Sequence, residues 1–214
     1  DRPGQSDMLH VDYWFRGVNV FRDSGSFRYN HEDAELKKYF GSVTAHNTVQ
    51  VGELGQMTKG PSFLWLDWPE THFSKTSDSD QMSFERTAFE RTAFDCVGKF
   101  TSGGQTYQHS RRIQQTGDVF QVIDSVDCQG PFKVFWHLDP GTDWQPAGQG
   151  RWLGVVDGQE ILIAVTGADS IQLDSALESL YYGEKSDHPV LIIYGGAAKS
   201  SIQSLSTDQS IPIC

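Results

Sequence analysis

Cysteine is scarce in this chain. Cys96, Cys128 and Cys214 are the only three, and no two stand at CxxC spacing. That spacing excludes a thiolate-clasped metal ribbon and a dithiol redox motif. A Cys96–Cys128 disulfide, which leaves Cys214 over, and buried free thiols both stay open. Basic residues are outnumbered: 17 Lys and Arg face 28 Asp and Glu, a net charge of −11. Nucleic acid and anionic membranes are poor partners for such a surface. No apolar run is long enough to span a bilayer, and no signal peptide is visible. GxSxG, P-loop and dinucleotide glycine motifs are missing, so serine-hydrolase and nucleotide chemistry lack a signature. The first residues, "DRPGQSDM", contain no initiator Met and read as a fragment or processed form.

Aromatic residues are plentiful. Thirteen Phe, seven Tyr and six Trp supply a core to a chain whose apolar fraction is only 37%, because each ring buries a large area. Disorder is therefore not expected. The 214 residues suit a single domain, since all-β units commonly reach this size. Charge is distributed unevenly. Residues 1–60 hold eight acids and seven bases, near −1, and the remainder carries about −10. An anionic ligand meets least repulsion in the first third.

Period-two patterning dominates and predicts strands. In "MLHVDYWF" (8–15), Leu9, Val11, Tyr13 and Phe15 fall on one face, and Met8, His10, Asp12 and Trp14 on the other. An Arg16-Gly17 turn then suggests a hairpin into "GVNVFRDSG". "SVTAHNTVQV" (42–51) also reads as a strand, with Val43, Ala45, Asn47, Val49 and Val51 on one side and Thr44, His46, Thr48 and Gln50 on the other. Further strands are expected at 62–68, 81–96, 106–115, 118–126, 132–138, 151–156, 160–165, 179–182 and 190–195, with a polar loop at 74–80. A final strand and tail are expected within 197–214. Gly103-Gly104, Thr116-Gly117-Asp118 and Asp157-Gly158 punctuate them. Only "HEDAELKKYF" (31–40) looks helical. The fold class expected is all-β, an antiparallel two-sheet β-sandwich with few short helices, forming one domain over 1–214. The tandem "FERTAFERTAF" (84–94) has an odd period, which turns successive copies to opposite strand faces; it reads as a long strand or a small duplication.

Several residue types carry possible chemistry. His46 suits a metal ligand, a hydrogen-bonded strand histidine or a substrate contact. Asn47 lies among apolar neighbours, where its amide needs partners, so a structural role competes with glycan contact. Arg16, Arg22 and Arg28 recur every six residues and offer either a face for a carboxylate sugar or solvated edge positions. Tyr29 offers a phenol to a sugar or a packed ring. Trp65, Trp68, Trp136 and Trp144 offer stacking surfaces or core, and a structural role suits His137.

The ordered pieces Asp7 with Leu9, "WFRGVNVFRDSGSFRY", "AHNTVQV" followed by "GQM", and later "PSFLWLDW" and "VFWHLDP" resemble the C-terminal domain of the heparinase II/III-like polysaccharide lyases. The likeness is dense over residues 2–68 and thinner to about residue 166. It implies a C-terminal antiparallel β-sandwich of a bacterial enzyme, preceded by an α/α toroid, with polysaccharide in the cleft between them. It implies cleavage of a uronic-acid glycan by β-elimination, in which a base takes the C5 proton and an acid assists the leaving oxygen. Much of that machinery lies on the toroid, so the fragment alone is expected to be inactive, with no catalytic residue of its own. Carried over by position, Asp23 of "DSG" and His46 of "AHN" become metal ligands; with a glycan as the implied ligand, Arg22, Arg28, Tyr29 and Asn47 are the residues expected to contact it. The resemblance implies zinc. The family's HxHxD segment, however, falls on Pro3-Gly4-Gln5-Ser6-Asp7, so both its histidines are absent and the ligand set is incomplete. His10 lies several residues further along an expected strand. The family also implies a periplasmic, envelope or secreted location. The loss of those histidines keeps a second reading in view, a non-catalytic glycan-binding or scaffolding sandwich.

Overall fold

The computed structural model describes residues 3–28, 33–61, 64–77, 91–196 and 202–208. After an irregular N-terminal stretch come β1 (Tyr13–Phe15), β2 (Val18–Phe21), α1 (Ala34–Phe40), a 3₁₀ turn (Val43–Ala45) and β3 (Val49–Val51). Then follow β4 (Thr58–Lys59), β5 (Trp65–Leu66), β6 (Glu70–Ser77), β7 (Arg91–Ser102), β8 (Gln105–Thr116) and β9 (Val119–Asp127). The remaining strands are β10 (Phe132–His137), β11 (Gln145–Pro146), β12 (Arg151–Val156), β13 (Gln159–Thr166), β14 (Ser170–Glu178), β15 (Ser186–Gly195) and β16 (Ile202–Asp208). Among the described residues no helix is long and apolar enough to cross a membrane.

The named strands pair antiparallel throughout. A four-stranded sheet runs β14-β15-β10-β3, an eight-stranded sheet runs β11-β12-β13-β16-β9-β8-β7-β6, and β1-β2 and β4-β5 form two small ribbons. One hydrophobic cluster joins the two large sheets: Val49, Phe132, Val134, Trp136, Leu191 and Ile193 from the first meet Phe100, Phe120, Val122, Trp152, Ile161 and Ile163 from the second. The architecture is an antiparallel β-sandwich, as the patterning predicts. In β9 the alternation is complete, with Phe120, Val122, Asp124 and Val126 all turned inward. An acid thus occupies a core-facing position, and its partners prove central below.

The turn residues explain the register. Arg16 and Gly17 both adopt positive φ, 49° and 83°, the conformation a two-residue hairpin turn requires. Gly103-Gly104 and Asp157-Gly158 do the same between β7 and β8 and between β12 and β13. Helix α1 begins where Asp33 caps the Glu35 and Leu36 N–H groups through its side chain.

Several expected elements differ. Only Tyr13–Phe15 of 8–15 is a strand, because Leu9 sits at φ 58° and breaks the extended run. Of 42–51, only Val49–Val51 is a strand, and residues 45–51 are buried on both expected faces. The expected polar loop at 74–80 instead begins as part of β6, whose pairing with β7 stabilises a polar sequence. The expected strand at 179–182 is a turn following β14. The tandem repeat lies mostly outside the described residues. Cys96 and Cys128 are free thiols.

Candidate functional site

Three irregular segments converge at one end of the sandwich: the loop before β1, the loop after β2, and the 3₁₀ turn leading into β3. The first is moored through motif side chains. Gln56 accepts from the Met8 N–H at 2.9 Å and donates to Thr48 Oγ1 at 2.9 Å and the Val49 carbonyl at 3.1 Å. Gln5 donates to the carbonyls of Gly25 and Phe40 at 3.0 and 3.2 Å, tying this loop to the "DSG" loop and the end of α1. The "DSG" loop is fixed in turn by Ser24 N–H to the Ala45 carbonyl at 3.3 Å and by Ser179 N–H to the Ser24 carbonyl at 2.7 Å.

Asn47 is the hub. Its side-chain amide donates to the carbonyls of Val11 and Arg22 at 2.9 and 3.2 Å and accepts from the His137 N–H at 2.7 Å. Its own N–H donates to His10 Nδ1 at 2.9 Å, and its carbonyl accepts from Arg111 at 2.6 Å. The residue is fully buried. These bonds satisfy every amide group that burial would otherwise leave costly, so Asn47 holds three segments together and presents nothing to a glycan.

Asp23 and His46 meet directly, with Oδ2 and Nδ1 2.7 Å apart. Asp23 also accepts from the Gly25 N–H at 2.6 Å through its other oxygen. Burial by itself raises the Asp23 carboxyl; the His46 hydrogen bond and charge, the His10 charge and the Gly25 N–H outweigh it and hold the pKa below its ordinary value. His10 completes a trio. Its Nε2 lies 3.7 Å from Asp23 Oδ2 and 3.2 Å from Asp12 Oδ1, and its ring stands edge-on to His46 at 5.8 Å. The expectation that His10 lies apart on a strand is corrected here: residues 8–12 belong to no strand, and the turn at Leu9 returns the ring to the site.

His10, Asp23 and His46 form a cluster whose ligand-type atoms all lie within 4.8 Å of one another. Its bonding pattern does not fit a closed zinc site. The Asn47 N–H occupies the His10 Nδ1 lone pair, so the neutral ring carries its proton on Nε2, the atom that faces Asp23. A protonated nitrogen has no lone pair for a metal. The 2.7 Å contact between Asp23 and His46 is a hydrogen bond that uses one candidate donor against another. Asp23 and His46 remain chemically suitable ligands; His10, as held, is a hydrogen-bond donor. His46 Nε2 is buried without a hydrogen-bond partner among the described residues.

Behind the trio stand two buried polar groups. Arg111 and Asp124 face one another across β8 and β9, joined by Nε–Oδ1 at 2.7 Å and Nη2–Oδ2 at 3.1 Å. His109 adds a 2.7 Å bond to the same carboxylate. Burial raises the Asp124 carboxyl, but the Arg111 charge and the His109 and Arg111 bonds hold it at about 2. Arg111 reaches on to the Leu9 and Asn47 carbonyls and lies over the Trp136 ring, 4.9 Å from its centroid. This ion pair therefore transmits the rigidity of the large sheet to the site. His137 and His188 form the second group, 2.7 Å apart, with Ser24 Oγ 3.2 Å from His137 Nδ1. Burial, followed by the nearby Arg22 charge, lowers His188 to about 4. Burial and the charges of His188 and His46 place His137 well below its ordinary value.

The remaining candidates separate. Arg22 is turned into ion pairs with Asp139 and Glu178, each at 3.2 Å, which occupies the guanidinium expected to read a uronate. Arg16 sits at the β1–β2 hairpin tip, while Arg28 is exposed and donates to the Gly183 carbonyl at 3.3 Å; the arginines do not gather on one face. Tyr29 lies outside the described residues. Trp65 is buried with its N–H on the Gly4 carbonyl at 3.0 Å, Trp136 and Trp144 belong to the core, and Trp68 is half exposed.

An antiparallel sandwich with an Asp–His pair and a second histidine at its loop end defines the structural class. The family model described as "Heparinase II/III-like, C-terminal" matches residues 1–206. The chain belongs to that family. Among solved structures it is similar to a heparinase III, the BT4657 gene product, with 16% identity and a TM-score of 0.66 over 95% of this chain and 30% of that one. It is also similar to the heparan sulfate lyase HepC from Pedobacter heparinus, with 16% identity and a TM-score of 0.64 over 98% of this chain and 32% of that one. The chain thus spans less than a third of either structure's length. No curated protein matches it.

Proposed function

We propose that this chain is the β-sandwich part of a lyase that cleaves a uronic-acid-containing polysaccharide by β-elimination, and that it acts together with the helical toroid the family places before it. The observation that carries this reading is the convergence of His10, Asp23 and His46 at the loop end of a sandwich of this family. The lyases among its structural neighbours support the reaction class. β-Elimination needs a base near C5, an acid near the leaving oxygen and neutralisation of the uronate carboxylate. Within this chain the His10 Nε2–H is held toward the Asp12 and Asp23 carboxylates, and the Asp23–His46 bond fixes the loops around it. Among the described residues no side chain is positioned as the base, and the isolated chain is inactive in this account. A periplasmic, envelope or secreted location belongs to the same proposal.

A second reading is a resident zinc ion. The clustering of the trio favours it. It requires His10 to release the Asn47 N–H, or Asp23 and His46 to recruit ligands elsewhere. The test of the main reading is ultraviolet absorbance from an unsaturated uronate. The 214-residue chain joined to a family toroid is expected to produce it, and the chain alone is expected not to. A joined protein that binds uronate polysaccharide without cleaving it would support the non-catalytic glycan-binding alternative.

A further inference from the structure

Arg22 and Asn47, two side chains that sequence reasoning offers to a glycan, are consumed by internal bonds. The charge needed to hold an acidic sugar must therefore come from elsewhere. Beside the "DSG" loop lies a cavity of ≈160 Å³ whose lining includes Arg28, Lys37 and Lys59, with Gln5, Ser26 and Gly41 between them. Among the described residues no carboxylate lines it. In a chain of net charge −11, three cations around one small cavity set it apart from the rest of the surface.

We propose that this cavity is a subsite for one anionic substituent of the glycan, a carboxylate or a sulfate ester. The inference rests on the proposed reading of the chain as a glycan-processing domain, and it names where that domain reads charge.

Three further observations support it. First, two of the three cations are held in place. The Lys59 ammonium lies over the Trp65 ring, 4.1 Å from its centroid, and Trp65 is itself anchored to the Gly4 carbonyl. The Arg28 guanidinium packs so closely on Gly183 that a Cβ there would stand 2.5 Å from Arg28 Nε. A preorganised cation loses little freedom when an anion arrives. Second, Lys37 and Lys59 are close enough to repel. Burial, and then the Lys37 charge, push the Lys59 ammonium below its ordinary value, and the charge of a bound anion offsets the Lys37 repulsion. Third, the cavity is continuous in its lining with a larger one of ≈540 Å³, which shares Lys37, Gly41 and Lys59 and adds Lys38, Ser42 and Thr44. The larger space also contains Glu35 and Glu53, and Glu53 is paired with Lys133 at 2.8 Å. The apolar surface of Val43, Met57 and Trp65 outweighs the polar groups in that lining and suits a sugar ring, while the acid-free cavity takes the anionic group.

The test is calorimetric titration of the 214-residue chain with three hexasaccharides: one carrying uronate carboxylates alone, one carrying uronate and sulfate, and one neutral. At low salt the acidic probes are expected to bind, with affinity falling as ionic strength rises, and the neutral probe is expected not to. Binding of the unsulfated probe assigns the cavity to a carboxylate; binding confined to the sulfated probe assigns it to sulfate. Arg28→Gln and Lys59→Gln are each expected to weaken binding roughly tenfold, and Lys59→Arg to retain it. Lys99→Gln, an equal loss of charge on an exposed position of β7, is expected to leave it unchanged. Equal binding of the neutral probe, an equal loss in Lys99→Gln, or no binding of either acidic probe overturns the subsite. Failure of the lyase reading shows separately, as absence of unsaturated product from the joined protein.

Discussion

Asp23 and His46 stand 23 residues apart in sequence and 2.7 Å apart in space. The bond closes the "DSG" loop onto the "AHN" segment, with His46 fully buried and the Asp23 side chain 32% exposed. Removing either partner strands the other. Asp23→Asn and His46→Ala are each expected to cost about 1–3 kcal/mol. The double variant is expected to cost much less than their sum, because both remove one interaction. Urea unfolding of the four proteins measures this, and simple additivity would contradict the coupling.

Asn47→Ala is expected to be at least as damaging, about 3 kcal/mol, because it leaves the part-buried carbonyls of Val11 and Arg22 and the buried His137 N–H without their Asn47 partner. A glycan-contact role predicts the opposite pattern, unchanged thermal unfolding with weakened binding.

Acid sensitivity follows from the buried ionisable groups. His188 is lowered from 6.5 to about 4 in the folded chain. The unfolded chain therefore takes up that proton first, and stability contributed by the neutral ring falls as pH drops from about 6.5 through about 4. Asp124, lowered from 3.8 to about 2, contributes stability above 3.8 that is lost as pH falls through about 2. Two limbs are expected in unfolding free energy against pH, and His188→Gln is expected to make the upper one shallower, with His137 and His109, both also held below their ordinary values by burial, keeping the rest. Asp124→Asn is expected to cost about 3–5 kcal/mol at neutral pH by leaving Arg111 buried and unpaired.

Gly25 has φ of 81°, and a Cβ there would stand 2.1 Å from the Ser179 backbone oxygen. Gly25→Ala is expected to cost more than about 2 kcal/mol and to loosen the Asp23 bond made by the Gly25 N–H. Substitution at Gly158 serves as the comparison, since φ is also positive there but no atom lies within 4 Å. Equal losses at the two positions would show that backbone strain alone, without the Ser179 contact, sets the cost.

The tautomer assigned to His10 is a measurable claim. Nitrogen NMR is expected to show a neutral ring protonated at Nε2, and the chain purified in the presence of zinc is expected to hold less than stoichiometric metal. One zinc per chain that disappears in His46→Ala would establish the second reading.

Much of the sandwich was legible because strands such as β9 and β13 alternate cleanly and are bounded by glycine turns whose φ signs are chemically dictated. The site was legible only in part. Asp23 and His46 come together as family position suggests, yet His10 was hidden by apparent alternation in "MLHVDYWF". The positive φ at Leu9 breaks that pattern, and nothing in a leucine announces it. Arg22 and Arg28 look equivalent in sequence; Asp139 and Glu178, more than a hundred residues away, claim the first and leave the second exposed. The Arg111–Asp124 pair occupies inward positions of two strands, where a charge breaks the apolar rule unless its partner is already known.

The central claim, that this sandwich serves a β-eliminating lyase, is tested most directly by following ultraviolet absorbance of unsaturated uronate with acidic polysaccharide as substrate. The chain joined to a family toroid is predicted to generate the signal, to lose most of it in His10→Ala, and to give none as the 214-residue chain alone. Product from the isolated chain, or none from the joined protein on any uronate polysaccharide it binds, would contradict the account.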